Sequence, residues 1–179
     1  IQSAFPLASG QNPGLHPAMD PLTHSVFGVA CAIAGTRQKV SRRAAALAGL
    51  AGGLLPDADV LLRSASDPLF TLEYHRHFPP SFAFAPVIAL MGAIIASLVL
   101  RAFKHPVPWH WLIFPALLGG LSHIFCDAWT SYGTRLWWPF AQTRVGLDWI
   151  SIIDPVLTVP LVACIALAVM HSVCSQGRF

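Results

Sequence analysis

Residues 82–100 read FAFAPVIALMGAIIASLVL, and this stretch decides the fold class. It contains no charged residue, and it is as long as an α-helix must be to cross the hydrocarbon core of a bilayer. Backbone amides find no water inside lipid, so a crossing segment satisfies them within a helix. The stretch therefore predicts a membrane-spanning α-helix.

Four other apolar segments accompany this stretch. Pro106–Cys126 and Pro155–Val173 have similar length, whereas Leu22–Gly35 and Ala44–Leu55 are shorter. The two shorter segments are rich in Ala and Gly, which allow helices to pack closely in lipid. They are either tilted spans or a hairpin that enters the bilayer partway. The pattern predicts an all-α, polytopic helical membrane protein with about four to five membrane segments.

Composition supports this class and excludes others. The chain of 179 residues is 55% hydrophobic and only 11% charged, whereas soluble proteins carry about 25% charged residues. A net charge of +3 with scattered basic residues does not indicate a nucleic-acid partner. The expected partners are the lipid bilayer and a small-molecule or lipid-like substrate. The four cysteines lack metal-type spacing and are expected to be small buried hydrophobes.

The chain divides into three parts. Residues 1–18 contain Pro, Gly and Ser without periodicity and lack the pattern of a signal peptide. They are predicted to form a disordered extension. Residues 19–174 are predicted to be one membrane-embedded domain, and residues 175–179 a short tail.

Loop charge predicts the orientation. Residues 36–43 are basic without an acidic residue, and residues 101–104 are basic again. The positive-inside rule places both in the cytoplasm. With five crossings, residues 56–81 and 127–149 then face outward, together with the start of the first segment. All eight acidic residues fall on that side or near an outward helix end, so the chemistry is expected on the outward face.

His123 and Asp127 are the most informative pair. Residues four apart on a helix point from the same face, so this imidazole and this carboxylate could reach one metal ion. A carboxylate in an apolar membrane segment marks a candidate functional site, since its insertion costs roughly 2.5–3.5 kcal/mol. A purely structural hydrogen bond between the two side chains is the alternative.

Three shorter motifs are predicted on the same side. Asp57 and Asp59 follow the second segment and suit divalent metals, a solvated turn being the alternative. His75 and Arg76 precede the long span, where a metal ligand and a phosphate-binding cation compete with simple interfacial anchoring. His24 lies at the start of the first segment, where a lone histidine is more often structural.

The outward face carries more metal donors than one ion needs. A zinc ion with an open position takes about three protein ligands, so the surplus favours two metals or a set of supporting side chains. Because no cysteine contributes, a hydrolytic site is favoured over a structural thiolate site. The donors are His24, Asp57, Asp59, His75, His123 and Asp127, and Arg144, Asp148 and Asp154 are expected on the same face at the beginning of the last segment.

Taken together, these blocks resemble the bacterial inner-membrane metal-dependent hydrolase family with YdjM-like members. The blocks stand in the family's order from Met19 to about Pro155: residues 19–25, 55–59, 74–78, the run from His123 through Asp127 to Thr134, and 154–155. The resemblance implies a membrane-bound hydrolase with a divalent metal, zinc being the first candidate. It implies His24, Asp57, His75, His123 and Asp127 as metal ligands, with Asp59 and Asp154 as supports.

The predicted function is hydrolysis of phosphoester or lipid-linked substrates by metal-activated water at an outward-facing site of the inner membrane. Asp57 or Asp59 would act as general base, and Arg76 and Arg144 would bind an anionic substrate. One block departs from the family, because Pro79–Pro80–Ser81 stands where relatives read Thr-His-Ser. The alternative is therefore a non-catalytic membrane protein, either a decayed family member or a carrier of metal ions or protons.

Overall fold

A computed structural model describes residues 21–36, 40–57, 80–130, 133–149, 156 and 158–166. These residues form five helices and no strand. The helices are α1 (Pro21–Gly35), α2 (Arg42–Leu54), α3 (Ala85–Ala102), α4 (Trp109–Trp129) and α5 (158–166). The predicted all-α class is thus confirmed. The expected extension 1–18 and tail 175–179 lie outside the described residues.

Two of these helices, α3 and α4, are long and apolar enough to cross a membrane. The surface of α3 suits lipid rather than water. Most of its large side chains, such as Met91 and Leu98, are exposed, whereas most of its buried residues are small, such as Ala89, Gly92 and Ala93. In water the large apolar side chains would be buried, so this distribution is typical of a helix whose outer face meets lipid. The predicted count of four to five segments stays a prediction.

Helix α4 is the centre of the bundle and packs against α1, α2 and α3. The helices approach closely because glycines face one another. A Cβ at Gly28 would lie 2.7 Å from the Gly49 carbonyl oxygen, and one at Gly119 would also meet the Gly49 backbone. The small residues predicted to favour close packing therefore bring α1, α2 and α4 together.

Local sequence sets the ends of α2 and α3. Ser41 caps α2, since its hydroxyl accepts a hydrogen bond from the Ala44 N–H at 3.3 Å. Helix α3 ends in a Schellman motif: the His105 N–H donates to the Leu100 carbonyl (2.9 Å) and the Lys104 N–H to Arg101 (3.1 Å). Lys104 occupies the left-handed position of this motif, with φ of 61°.

The helices alternate in direction, and the two ends of the bundle differ. At the first, here called the site end, α1 and α3 begin and α2 and α4 end. At the opposite end, here called the basic end, α2 begins near α3's last turn and the connection 103–108. Ser41 and Arg43 lie there beside Leu100 and His105 around one pocket. This alternation agrees with the side predicted for each described loop, whereas the orientation of the bundle in a membrane remains a prediction.

Residues 133–149 close over the site end of α4. The Leu147 and Trp149 N–H groups donate to the carbonyls of Ala128 and Trp129, at 2.9 and 2.8 Å. Gly133, with φ of 64°, allows the chain to turn there. Thr134 pairs with Val145 in an isolated antiparallel bridge. The segment is thereby attached directly beyond Asp127.

Candidate metal centre

Three buried side chains meet at the site end: His24 from the first turn of α1, and His123 and Asp127 from the last turns of α4. They are 3%, 1% and 2% exposed. One nitrogen or oxygen atom of each lies within 4.8 Å of the others, so the group could hold a metal ion. Charged groups are rarely buried this completely unless they are paired or bind a metal.

The Asp127 carboxylate bridges the Nε2 atoms of the two imidazoles. One of its oxygens, Oδ2, is 3.3 Å from His123 Nε2, and the other, Oδ1, is 3.7 Å from His24 Nε2. The spacing of four residues on α4 produces the first contact, as the sequence predicts. The second arises because the close approach of α1 brings His24 to the same carboxylate.

These separations fit coordination of a shared ion. Charge-assisted N–H···O hydrogen bonds are shorter, at about 2.7–2.9 Å. Two ligand atoms each about 2.0–2.1 Å from a tetrahedral ion lie roughly 3.3–3.4 Å apart. The observed 3.3 and 3.7 Å lie near that spacing.

The backbone of α2 fixes the orientation of His123. Its Nδ1 lies 2.8 Å from the carbonyl oxygen of Gly53. A carbonyl oxygen can only accept, so Nδ1 carries the hydrogen and donates it. Nε2 then points toward the carboxylates. Histidines that bind metals commonly donate their other ring N–H in this way, which sets the tautomer and the ring plane.

The His24 and His123 rings stack, with centroids 4.1 Å apart and an interplanar angle of 27°. The stack restrains the His24 ring through its neighbour. Since His123 is held by Gly53 and His24 by His123, both imidazoles are positioned before any ligand arrives. Such preorganisation of ligand side chains is what a precise metal site requires.

Asp57 brings a second carboxylate to His123. It follows α2 by one turn, and its Oδ1 lies 3.5 Å from His123 Nε2. Unlike the three buried residues it is 23% exposed. His123 Nε2 therefore lies within 3.5 Å of two carboxylates, one fully buried and one at the edge of solvent.

The end of α4 is fixed directly after Asp127. Both the N–H and the hydroxyl of Thr130 donate to the Asp127 carbonyl oxygen, at 3.3 and 2.8 Å. Thr130 itself has extended backbone dihedrals, so the helix stops there. The Asp127 backbone is therefore held firmly, although the residue lies close to the end of a helix.

The structure brings together four of the five ligands that the resemblance implies: His24, Asp57, His123 and Asp127. The fifth, His75, lies outside the described residues, as do Asp59, Arg76 and Asp154. Arg144 and Asp148 are exposed in the segment 133–149, and Asp148 has a left-handed backbone with φ of 53°.

Sequence reasoning missed Gly53, whose contribution is a backbone carbonyl. The Gly52–Gly53 pair was an indirect signal, because it indicates a close approach between helices. A Cβ at Gly53 would lie 3.0 Å from the His24 carbonyl oxygen. The same glycine that lets α1 approach thus presents its own carbonyl to His123.

Most of the chain matches one known protein family. A family model described as "YdjM inner membrane protein" matches residues 19–178, which is most of the chain. The chain belongs to the YdjM inner membrane protein family. The predicted resemblance to YdjM-like proteins is therefore confirmed, and the family name indicates an inner membrane protein in a lipid bilayer.

A relative of this YdjM family member occurs in Bacillus subtilis (strain 168). It is described as the uncharacterized protein YfhP and is 30% identical over 155 residues. The match covers 83% of this chain but 46% of YfhP, so the chain spans about half the length of that relative. No solved structure matches the chain significantly.

Proposed function

We propose that this YdjM family member is a membrane-bound, metal-dependent hydrolase of phosphoester or lipid-linked substrates. The proposal is supported by a family of inner membrane proteins and by a buried His/His/Asp group that could hold a metal ion. The reaction and the identity of the metal are the proposed parts. Zinc is the first candidate, because the described donors are imidazoles and carboxylates.

The orientation of His123 carries the proposal. When Nδ1 donates to Gly53, a neutral His123 ring has only a lone pair at Nε2, which a carboxylate oxygen cannot satisfy. His123 nevertheless directs Nε2 toward Asp127 and Asp57, beside the Nε2 of His24. The two imidazoles and the Asp127 carboxylate form a donor set that suits a divalent cation, and the Asp57 carboxylate, 3.5 Å from His123 Nε2, is a further donor at its edge.

The residues have distinct proposed roles. His24, His123 and Asp127 are buried ligands, and His75 is a further candidate ligand. Bound there, a divalent metal would lower the pKa of a water molecule toward 7 and polarise the phosphoryl oxygen. Asp57, which borders solvent, would accept the proton from the attacking water.

Three residues outside this group keep the roles predicted for them. Asp59 is an alternative base, and Arg76 and Arg144 would bind the anionic group of the substrate in bidentate fashion. Of these, only Arg144 belongs to the described residues. It lies exposed on the segment that covers the site end, where a substrate would pass.

Aromatic side chains suggest that the substrate arrives from the membrane. Trp137, Phe140 and Trp149 are 56%, 88% and 72% exposed on the segment 133–149. A second exposed aromatic group, Trp109 and Trp111, lies at the start of α4. Helix α4 has 21 residues and is about 30 Å long, which is the hydrocarbon thickness of a bilayer, so the two groups lie toward opposite ends of a helix of that length.

This spacing supports a multi-pass protein whose site opens at the level of lipid headgroups. The positive-inside rule would place the site on the outward face of the inner membrane. A phosphoester with a lipid tail could reach such a site by lateral diffusion, whereas a soluble substrate would arrive from the aqueous side.

Metal analysis of the detergent-purified protein tests the proposal. We expect about one or two equivalents of metal in the wild type and less than a tenth of that in His123→Ala and Asp127→Ala. His110→Ala is the matched control, because His110 lies on the same helix but is exposed at the basic end. The loaded protein should release phosphate from a lipid phosphoester, and the two site variants should not. A wild type without stoichiometric metal would refute the proposal.

The alternative, a non-catalytic family member, is favoured by one observation. Pro80, which stands where the family resemblance implies His, is buried, and its carbonyl accepts from the Thr134 hydroxyl at 3.2 Å. Proline offers no side-chain donor to a metal or a proton. Metal bound with full stoichiometry but without phosphate release would support this alternative. A proton or metal carrier is less favoured, because the clustered His and Asp groups among the described residues lie at one end of the bundle.

A further inference from the structure

The basic end of the bundle contains a pocket that the proposed hydrolase site does not use. It has a volume of about 480 Å³ and lies between the start of α2, the end of α3 and the connection to α4. Its chemistry differs from that of the site end, since no acidic residue occurs in residues 21–56 or 74–126. The segments that build this end therefore contribute only positive charge.

The polar side of the pocket is suited to an anion. Arg43 and His105 line it together with Ser41, the residue that caps α2. Guanidinium groups bind phosphate through paired N–H donors, and the first turn of an α-helix adds amide N–H groups and the positive end of the helix dipole. Arg42, Arg101 and Lys104 are exposed nearby and add to the positive field.

The opposite side of the pocket is apolar. Leu47 and Val107 pack against the buried core that includes Leu100, and all three line the pocket. Phe103, which is 72% exposed, also lines it. An inorganic anion makes no use of such a wall, whereas the first carbons of an acyl chain would bury apolar surface against it.

We propose that this pocket binds an anionic phospholipid, with the phosphate at Arg43 and His105 and the start of the acyl chain against Leu47, Leu100 and Val107. Basic pockets between membrane helices bind acidic lipid headgroups in this way. The proposal is independent of metal binding and of hydrolysis, because the pocket lies at the opposite end of the bundle from His123.

Lipid titration of the delipidated protein, followed by native mass spectrometry, tests the proposal. Phosphatidylglycerol and phosphatidylcholine with identical acyl chains are compared. We expect phosphatidylglycerol to bind at least tenfold more tightly. In Arg43→Gln this preference should fall by about tenfold, since hydrogen bonds to charged groups commonly carry that much affinity.

Arg42→Gln is the matched control, because Arg42 precedes Arg43, is also exposed, and does not line the pocket. It should change the preference less than twofold. Equal losses in Arg42→Gln and Arg43→Gln would overturn the proposal, since they would show a diffuse charge effect. An unchanged thermal unfolding midpoint shows that Arg43→Gln is folded, whether or not the protein binds metal.

Soluble competitors separate a lipid from a free phosphate. Glycerol phosphate and inorganic phosphate should displace phosphatidylglycerol only weakly, because they lack the apolar part. If either soluble anion binds as tightly as the lipid, the pocket is a phosphate site and the lipid proposal is wrong.

Discussion

The two ends of the bundle treat ionisable groups in opposite ways. At the site end His24, His123 and Asp127 are almost completely buried and contact one another. At the basic end Arg42, Arg43 and Lys104 are exposed. Long cations at a membrane surface reach water or lipid headgroups at little cost, whereas a carboxylate and two imidazoles in a protein interior need partners.

This difference indicates which end of the bundle depends on particular side chains. Exposed cations contribute little to folding stability, because solvent replaces the contacts that are lost when they are exchanged. The site end has no such substitute, since each group depends on another at a fixed distance. Substitutions should therefore change the free energy of unfolding strongly at the site end and weakly at the basic end.

Removal of the central carboxylate should have the largest effect. Asp127→Ala leaves two stacked imidazoles without the carboxylate that contacts both of their Nε2 atoms. Removing one partner of a buried ionic group costs about 3–5 kcal/mol, so the free energy of unfolding should fall by that amount. Equilibrium unfolding in mixed detergent micelles measures it. His110→Ala, exposed on the same helix, should change stability by less than about 0.5 kcal/mol.

Chelation sharpens this experiment. A bound metal at a thousandfold excess over its Kd stabilises the wild type by about 4 kcal/mol. Removal of metal should therefore destabilise the wild type but leave Asp127→Ala unchanged. Equal stability of the wild type with and without metal would contradict the proposed centre.

The sequence predicts the helices well because the membrane pattern is strong, but it misplaces their ends. The segment Pro106–Cys126 is observed as α4, Trp109–Trp129. The predicted apolar segment ends before Asp127, because a carboxylate is normally found outside such segments. The helix continues because Asp127 is buried beside His24 and His123, contacts that a hydropathy profile does not contain.

The sequence also predicts only part of the site, namely the contacts within one helix. The spacing of His123 and Asp127 gives one contact directly, because four residues return to the same helix face. The contact with Gly53 links residues 70 positions apart through a backbone carbonyl, and no side-chain pattern reports it. The stack of His24 on His123 likewise depends on how closely α1 approaches α4.

A substitution that disturbs the close packing between helices should have the next largest effect on stability. In Gly49→Ala the new methyl group would lie 2.6 Å from the Gly28 carbonyl oxygen and would also meet the Ala32 Cβ. Neither backbone nor Cβ can move without shifting α1, and overpacking of this kind costs about 1–3 kcal/mol. The shift would also separate His24 from Asp127, so metal affinity should fall together with stability.

Gly35→Ala is the matched control for this comparison. Its methyl group would meet only the end of the Leu118 side chain, which can rotate away. We expect a loss below about 0.5 kcal/mol and unchanged metal content. If Gly49→Ala is as mild as Gly35→Ala, the close glycine contacts do not position the site.

The smallest expected effect is at the basic end and has the opposite sign. Lys104 adopts a left-handed backbone that costs a non-glycine residue roughly 1–2 kcal/mol, and glycine adopts it freely but loses more entropy on folding. Lys104→Gly should therefore raise the free energy of unfolding by about 0.5–1 kcal/mol. Lys104→Ala keeps the strain and should leave stability unchanged, so an equal gain in both variants would point to relief of charge repulsion among the exposed cations. A gain in Lys104→Gly alone would show that the basic end retains a cation at a position where glycine is more stable, in contrast to the site end, where the buried groups stabilise one another.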